Sequence, residues 1–324
     1  MLQILAVTFP FFALVLCGFV AAQRGVLPLA AIPGLNGFVL FFALPCMLYR
    51  FGANTPIGQL LDVTAALLWL GCALFVVAVA LLLARRAGRS WNDSAFGALV
   101  AAFPNTGFMG VPLLVALLGA RAAGPTILAV AIDMVITTSL CVALSRLDGA
   151  GSSGAGAAAR RALAGMLVNP LPWAIALGVV ASALQFTLPG PIDRTIGLLA
   201  DAASPVALFT IGAVLARSRV QAAAAREGGQ AAGGRDDALQ VAVLKLVLHP
   251  LAVWAATRAA IAAGLPLDPF AALVLVLIAA LPSASNVSML AERYGADNGR
   301  VARIILYSTA AAFFTFSGAV ALLR

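Results

Sequence analysis

Phe103-Pro104-Asn105-Thr106-Gly107-Phe108-Met109-Gly110-Val111-Pro112 interrupts an apolar run that opens at Ala95 and closes at Leu118. Two prolines and two glycines in so short a stretch do not support an unbroken helix. Proline has no backbone donor and clashes with the preceding turn, and glycine adds backbone freedom. The flanking residues are apolar enough to cross a bilayer, so the break falls near its middle. Unpaired backbone groups at that depth are tolerated only where protein or a watery cavity meets them. The stretch therefore marks either a kink patched by neighbouring helices or a solute site.

A second run carries the same interruption, in Leu281-Pro282-Ser283-Ala284-Ser285-Asn286-Val287-Ser288. It begins Phe270-Ala271-Ala272-Leu273-Val274, as the first begins Phe96-Gly97-Ala98-Leu99-Val100. Outward from these two, apolar segments of about twenty residues, the length that spans a bilayer, recur along the chain. They are Leu2–Ala22, Ile32–Phe51, Val63–Ala84, Ala95–Leu118, Thr126–Leu144, Leu163–Ala183, Ile196–Ala216, Ala238–Ile261, Phe270–Leu290 and Val301–Leu323. The broken spans are the fourth and the ninth. The first and sixth also match, because Pro10 precedes Gly18 by the same spacing as Pro170 precedes Gly178. Five spans per half is an odd number, so the second copy enters the membrane upside down, the architecture of many secondary transporters. The expected fold is an all-α membrane protein of ten transmembrane helices in two inverted five-helix repeats. Residues 1–146 form the first repeat, 147–162 a flexible cytoplasmic linker, and 163–324 the second.

Composition agrees with this class. Of 324 residues, 63% are hydrophobic and 10% charged, against about a quarter charged in a soluble domain. The net charge of +8 sits at the ends of apolar segments and is no nucleic-acid signal. Fourteen arginines fall on the connections after odd-numbered spans and five on the opposite side. The positive-inside bias then makes the odd connections cytoplasmic and both termini periplasmic, in a multi-pass protein of the bacterial inner membrane. Cys17, Cys46, Cys72 and Cys141 lie inside apolar runs without metal spacing and read as small packed or lipid-facing side chains. Leu2 to Ala22 has no basic start and is long enough to span, so it reads as the first helix and not as a cleaved leader.

Two breaks at matching places favour a binding site over a patched kink. Freed N–H groups at half-helix starts offer partial positive charge to an anion, and asparagine amides add donors. The substrate-binding candidates are Pro104, Asn105, Thr106, Gly107, Pro282, Ser283, Ser285 and Asn286. Ionisable groups within spans are the next candidates. Asp133, mid fifth span, could bind a coupling ion or cycle a proton, or be held by Thr137 or a neighbouring helix. Lys245 lies near the start of the eighth span, where snorkelling to the membrane surface and ion pairing compete with attraction of an anion. Asp201 precedes Pro205, whose missing N–H frees a carbonyl, and pairing with a structural partner on the eighth span competes with a coupling role for it. His249 reads as a packed neutral imidazole or a proton relay. A metal site is excluded by the lack of partner residues.

These motifs resemble the auxin efflux carrier family in its bacterial branch. The resemblance rests on Asn105 through Pro112, on Asp201-Ala202-Ala203-Ser204-Pro205-Val206-Ala207-Leu208-Phe209 with Gly212, and on Pro282 through Asn286 running to Ala291-Glu292-Arg293-Tyr294-Gly295. It covers essentially the full length. It implies a crossover of broken helices and an elevator motion of transport helices 3–5 and 8–10 against scaffold helices 1, 2, 6 and 7. It also implies that Asn105 meets a substrate carboxylate. The plant carriers have an acidic residue just after the second span and a lysine after the ninth. Asn54 and Glu292-Arg293 stand at those places here, a departure from a plant-style ion pair and from auxin as substrate.

The function expected is secondary active transport of a small organic anion. The resemblance makes a mono- or dicarboxylate such as malonate or malate the substrate, and export of an aromatic or neutral solute on the same fold is the alternative. No cofactor is expected beyond a coupling ion, H+ or Na+. The expected partners are the anion and the lipid bilayer, with a homodimer through the scaffold helices left open. An enzyme is disfavoured: Gly151-Ser152-Ser153-Gly154 imitates an intramembrane protease motif but lies in the linker. A channel is disfavoured because no ring of like charges or repeated filter sequence is visible.

Overall fold

The computed structural model describes residues 2–54, 62–147, 170–227 and 237–323, which are helical with no strand among them. The helices are α1 (Leu2–Gln23), α2 (Leu29–Asn54), α3 (Val63–Arg86), α4 (Trp91–Ala102), α5 (Thr106–Leu118), α6 (Ala120–Ser145), α7 (Pro170–Ala183), α8 (Gly190–Glu227), α9 (Ala238–Ala262), α10 (Pro269–Ala279), α11 (Asn286–Arg293) and α12 (Asn298–Leu323). Six described helices are long and apolar enough to cross a membrane: α2, α3, α6, α8 over Gly190–Arg217, α9 and α12. Shorter apolar helices are Phe9–Gln23 within α1, α5, Trp173–Ala183 within α7, and α10.

The fourth and ninth apolar runs each divide in two, as the prolines require: Ala95–Leu118 becomes α4 and α5, and Phe270–Leu290 becomes α10 and α11. The polar connection expected from Arg217 differs from what forms, since α8 continues to Glu227. Its extension runs through Gln221-Ala222-Ala223-Ala224-Ala225, and alanine is the best helix former. The linker residues 148–162, with Gly151–Gly154, and the start of the sixth span at Leu163 lie outside the described residues. So does the side chain of Glu292.

Local signals set the helix starts. Ser90 Oγ accepts from Asp93 N–H at 3.0 Å, and Asp268 accepts from Phe270 N–H at 3.1 Å ahead of Pro269. Asp297 accepts from Arg300 N–H at 2.8 Å at the head of α12. Side-chain caps of this kind satisfy N–H groups that have no partner in the helix. Gly119, at φ +85°, lets the chain turn between α5 and α6 within one residue. Four helical stretches widen by one residue per turn, at Val39–Ala43, Thr106–Gly110, Asp133–Thr137 and Leu244–Leu248. Widened turns free backbone groups and re-aim side chains, and they concentrate at functional sites.

The chain divides into two compact units. The first holds Met1–Asp62, Thr106–Val130 and Asn169–Arg217. Its helices approach through glycine. A Cβ on Gly18 would collide with the carbonyl of Phe209 in α8, and one on Gly212 with the carbonyl of Val15 in α1. Likewise Gly178 of α7 packs on the backbone of Tyr49 and Gly52 in α2. Small residues are what let membrane helices meet backbone to backbone. Because backbone cannot yield as a side chain can, Gly212→Ala is expected to lower stability by about 2 kcal/mol, the scale of overpacking. A thermal melt in detergent checks this, and Gly71→Ala, at an open helix position, is the control.

The second unit holds Val63–Asn105, Ala131–Val168 and Ser218–Arg324. Its innermost helices are the two that lead into the breaks. In α4 every residue from Ser94 to Ala102 is buried, and in α10 so is nearly every residue from Ala271 to Ala279. A helix apolar on all sides belongs at the centre of a bundle.

Candidate functional site

Within the second unit the two breaks meet. Phe103 to Asn105 and Pro282 to Ala284 run antiparallel as a minimal two-stranded pairing centred on Pro104 and Ser283. Asn105 N–H donates to the Pro282 carbonyl at 2.8 Å, and Ala284 N–H donates to the Phe103 carbonyl at 2.9 Å. Backbone freed by one proline is therefore satisfied by backbone freed by the other. This meets the rule that non-helical backbone at membrane depth must be buried in protein.

The side chains at the crossing are not satisfied in the same way. Asn105 is 4% exposed, and its amide makes no hydrogen bond to another described residue. Ser283 Oγ is fully buried without a partner. Ser285 and Asn286 are half-buried and equally free of side-chain bonds to described residues. Buried polar groups are normally paired, so a cluster of open donors and acceptors is what a polar solute would complete. Of the eight expected substrate-binding residues, Pro104, Asn105, Pro282 and Ser283 come together directly, with Ser285 and Asn286 continuing from them into α11. Thr106 and Gly107 fall in the first unit.

Beside the crossing lies a second polar group. Asp133, fully buried in the widened turn of α6, accepts from Trp69 Nε1–H and from the Thr137 hydroxyl, each at 3.2 Å through Oδ1. Its Oδ2 has no partner. The Trp69 ring lies 5.2 Å from the His249 imidazole, and Lys245 Nζ lies 3.2 Å from His249 Nδ1. Lys245 also donates to the Ala279 carbonyl at 2.6 Å. That carbonyl is open because its helical donor, Ser283 N–H, has turned to Ser308 Oγ at 3.2 Å. Lys245 thus caps the carbonyl end of α10, where the helix dipole is negative.

This corrects the snorkelling expected for Lys245. The ammonium is fully buried and points inward, because the break supplies a carbonyl and the imidazole an acceptor. Asp201 is also corrected. It pairs with Arg50 of α2 at 2.9 Å on an exposed surface of the first unit, and not with the eighth span. Asn54 is exposed at the end of α2, and it and Asp201 belong to the first unit, whereas the crossing belongs to the second. His249 is packed as expected, with Nε2 unpartnered.

One end of the second unit carries an ion cluster that the spacing of residues did not reveal. Asp237, just before α9, takes Arg300 Nε and a second guanidinium nitrogen at 2.7 Å each, and Arg89 at 3.0 Å. Arg300, 1% exposed, also donates to the Asp93 carbonyl at 2.8 Å, and its guanidinium occupies the space that a side chain at Gly97 would fill. Asn92 donates to the Tyr294 carbonyl at 3.1 Å, and Arg146 lies 4.9 Å from the Tyr294 ring centre. Burial alone would raise the Asp237 carboxyl, but the hydrogen bonds and charge of Arg300, with the charge of Arg89, outweigh it and hold it below its ordinary value. Trp69 was likewise missed, since one indole in an apolar span carries no signal of its partner.

The model of a family described as membrane transport protein matches residues 4–153 and 157–320. A Rhizobium meliloti protein named "Putative malonate transporter" is 28% identical over 325 residues, covering 100% of this chain and 97% of its own length. An "Uncharacterized transporter" of Methanothermobacter thermautotrophicus is 27% identical, over 91% of this chain and 90% of its own. The "Uncharacterized transporter YfdV" of Escherichia coli K12 is 24% identical, over 88% and 86%.

Proposed function

This chain belongs to the membrane transport protein family, the auxin efflux carriers, and as a transporter of that family we propose that it moves a small organic anion. The anion is a mono- or dicarboxylate of the size of malonate or malate, carried across the bacterial inner membrane by elevator-type alternating access and coupled to H+ or Na+. The observation that carries this reading is the crossing itself. Two broken helices satisfy each other's backbone while Asn105, Ser283, Ser285 and Asn286 keep side-chain groups open. A carboxylate offers lone pairs to such donors, and malonate is in the name of the Rhizobium relative.

Two further observations support the architecture. The repeat-related glycines Gly18 and Gly178 each serve a close helix crossing, of α1 with α8 and of α7 with α2, as inverted copies would. Arg89, Asp93, Asp237 and Arg300 flank odd-numbered connections and gather at one end, as a common cytoplasmic side requires. The test is a thermal-shift screen of carboxylates on the purified protein, followed by uptake into proteoliposomes. A ligand at about 100 times its Kd is expected to stabilise by about 2.7 kcal/mol. If no carboxylate shifts the melt while a neutral or aromatic solute does, the anion reading is lost.

A further inference from the structure

Asp133, Lys245, His249 and Arg300 are the buried aspartate, lysine, histidine and arginine side chains among the described residues. Arg300 is matched at once by Asp237. The other three lie in one layer of the second unit, linked through Trp69 and, by the bond from Lys245 to Ala279, to the second break. With Lys245 as an ammonium, which presents only N–H donors, His249 Nδ1 facing it is the acceptor and the imidazole is neutral. The layer then holds one carboxylate and one ammonium. Cys72 and Cys141, also buried, carry no charge as thiols, α10 adds no ionisable group, and the one carboxylate of α4, Asp93, stands in its first turn beside Arg300 at the end that carries the Asp237 cluster. From α12, Arg300 is paired elsewhere and Tyr307 is exposed.

Resting on the carrier reading above, we propose that this protein is an electroneutral symporter of one proton with one singly charged carboxylate. Asp133 is the proton site and Lys245 the permanent counter-charge. When the site is empty, the Asp133 carboxylate and the Lys245 ammonium cancel. When a monoanion occupies the crossing, Lys245 is balanced by the substrate, and Asp133 must be neutral, having taken a proton from the same side. Each of these two states is balanced and can cross. Substrate without the proton leaves one buried negative charge in excess, and the proton without substrate leaves one positive. Either excess is costly in a low-dielectric interior, so neither moves. Release on the far side returns the proton and the anion together.

Sodium at Asp133 would satisfy the same balance, but the surroundings do not suit it. Oδ1 is met by an N–H and an O–H donor, and the open Oδ2 can hold a proton without further ligands. A bare metal cation needs several oxygen lone pairs in place of its water. A doubly charged dicarboxylate is excluded by the same balance and must enter with one carboxyl protonated.

The test uses the full-length protein in proteoliposomes with radiolabelled malonate and pyruvate as probes. Wild-type uptake is expected to follow an inward proton gradient and to acidify the lumen with one proton per net negative charge carried. It should not change when a potassium diffusion potential is imposed or when sodium is replaced by choline. Asp133→Asn keeps an oxygen for Trp69, and it makes the loaded state balanced and the empty state unbalanced. It is expected to retain exchange of internal for external solute, to lose its pH response, and to lose net uptake by about tenfold or more. Wild-type uptake that responds to the potential or requires sodium overturns the proposal without any variant. So does an Asp133→Asn protein with the wild-type pH response, or a folded one that cannot exchange. Absence of both probes' flux in the wild type fails the carrier reading itself, which separates the two failures.

Discussion

Asn105→Ala is expected to cut carboxylate uptake roughly 10- to 100-fold while leaving the thermal midpoint of the unliganded protein within about 1 °C of wild type. The two halves of that expectation have different physical origins. The structural duty of Asn105 lies in its backbone, whose N–H donates to the Pro282 carbonyl at 2.8 Å, and alanine keeps that bond. Its side chain is buried but bonds to no described residue, so truncation removes no protein contact of consequence. What truncation does remove is an amide donor poised at the crossing. A hydrogen bond to a charged group is worth about 1.5–3 kcal/mol, which converts to the stated range of affinity. Uptake kinetics on the purified variant, with its melt measured beside them, give the answer. Undiminished uptake would take Asn105 out of the site, and a collapsed melt would place its role in folding instead.

Asp237→Asn is expected to destabilise the protein by about 3 kcal/mol, because Arg300 is almost fully buried and loses its counter-charge. Three helix starts converge on this carboxylate through Arg89, Asp237 and Arg300, so the loss is not confined to one helix. Replacing both partners, Asp237→Leu with Arg300→Met, is expected to restore most of it, since the fully buried guanidinium then leaves together with its counter-charge, while the Arg89 guanidinium keeps access to water. Melts of the two single variants and the double variant form the cycle that measures this coupling. The pH dependence follows from the same contacts. Asp237 is held below its ordinary value of 3.8, so its contribution is complete above that value and fades as pH falls through the lowered native one. Wild-type stability should therefore be insensitive to this group from neutral pH down to the ordinary aspartate range. The Asp237→Asn deficit should shrink only in stronger acid.

Asp133 and Lys245 show how far residue type alone could lead. An ionisable side chain inside an apolar run is costly, so both stood out as candidates before any fold was known. Their surroundings were legible only in part: His249 follows Lys245 by four residues, one helical turn, but Trp69 reaches Asp133 and His249 from another part of the chain. The snorkelling expected of Lys245 followed from its distance along the sequence to the membrane surface. The opened carbonyl of Ala279, from another helix, decided otherwise. Asp201 went astray for the same reason: its partner Arg50 is fixed by the packing of α2, not by any spacing.

Composition and proline placement alone determined that the chain is a helical membrane protein interrupted at Pro104 and Pro282. These are local properties: transfer of apolar side chains and loss of a backbone donor need no tertiary partner. Only the tertiary structure decided that the two interruptions face one another and that Lys245 turns inward. It also decided that Asp237 anchors Arg300. Hydrogen bonds and ion pairs join residues through space, and beyond the one-turn pairs such as Asp133 with Thr137, which polar group finds which depends on helix packing, where sequence distance carries no information.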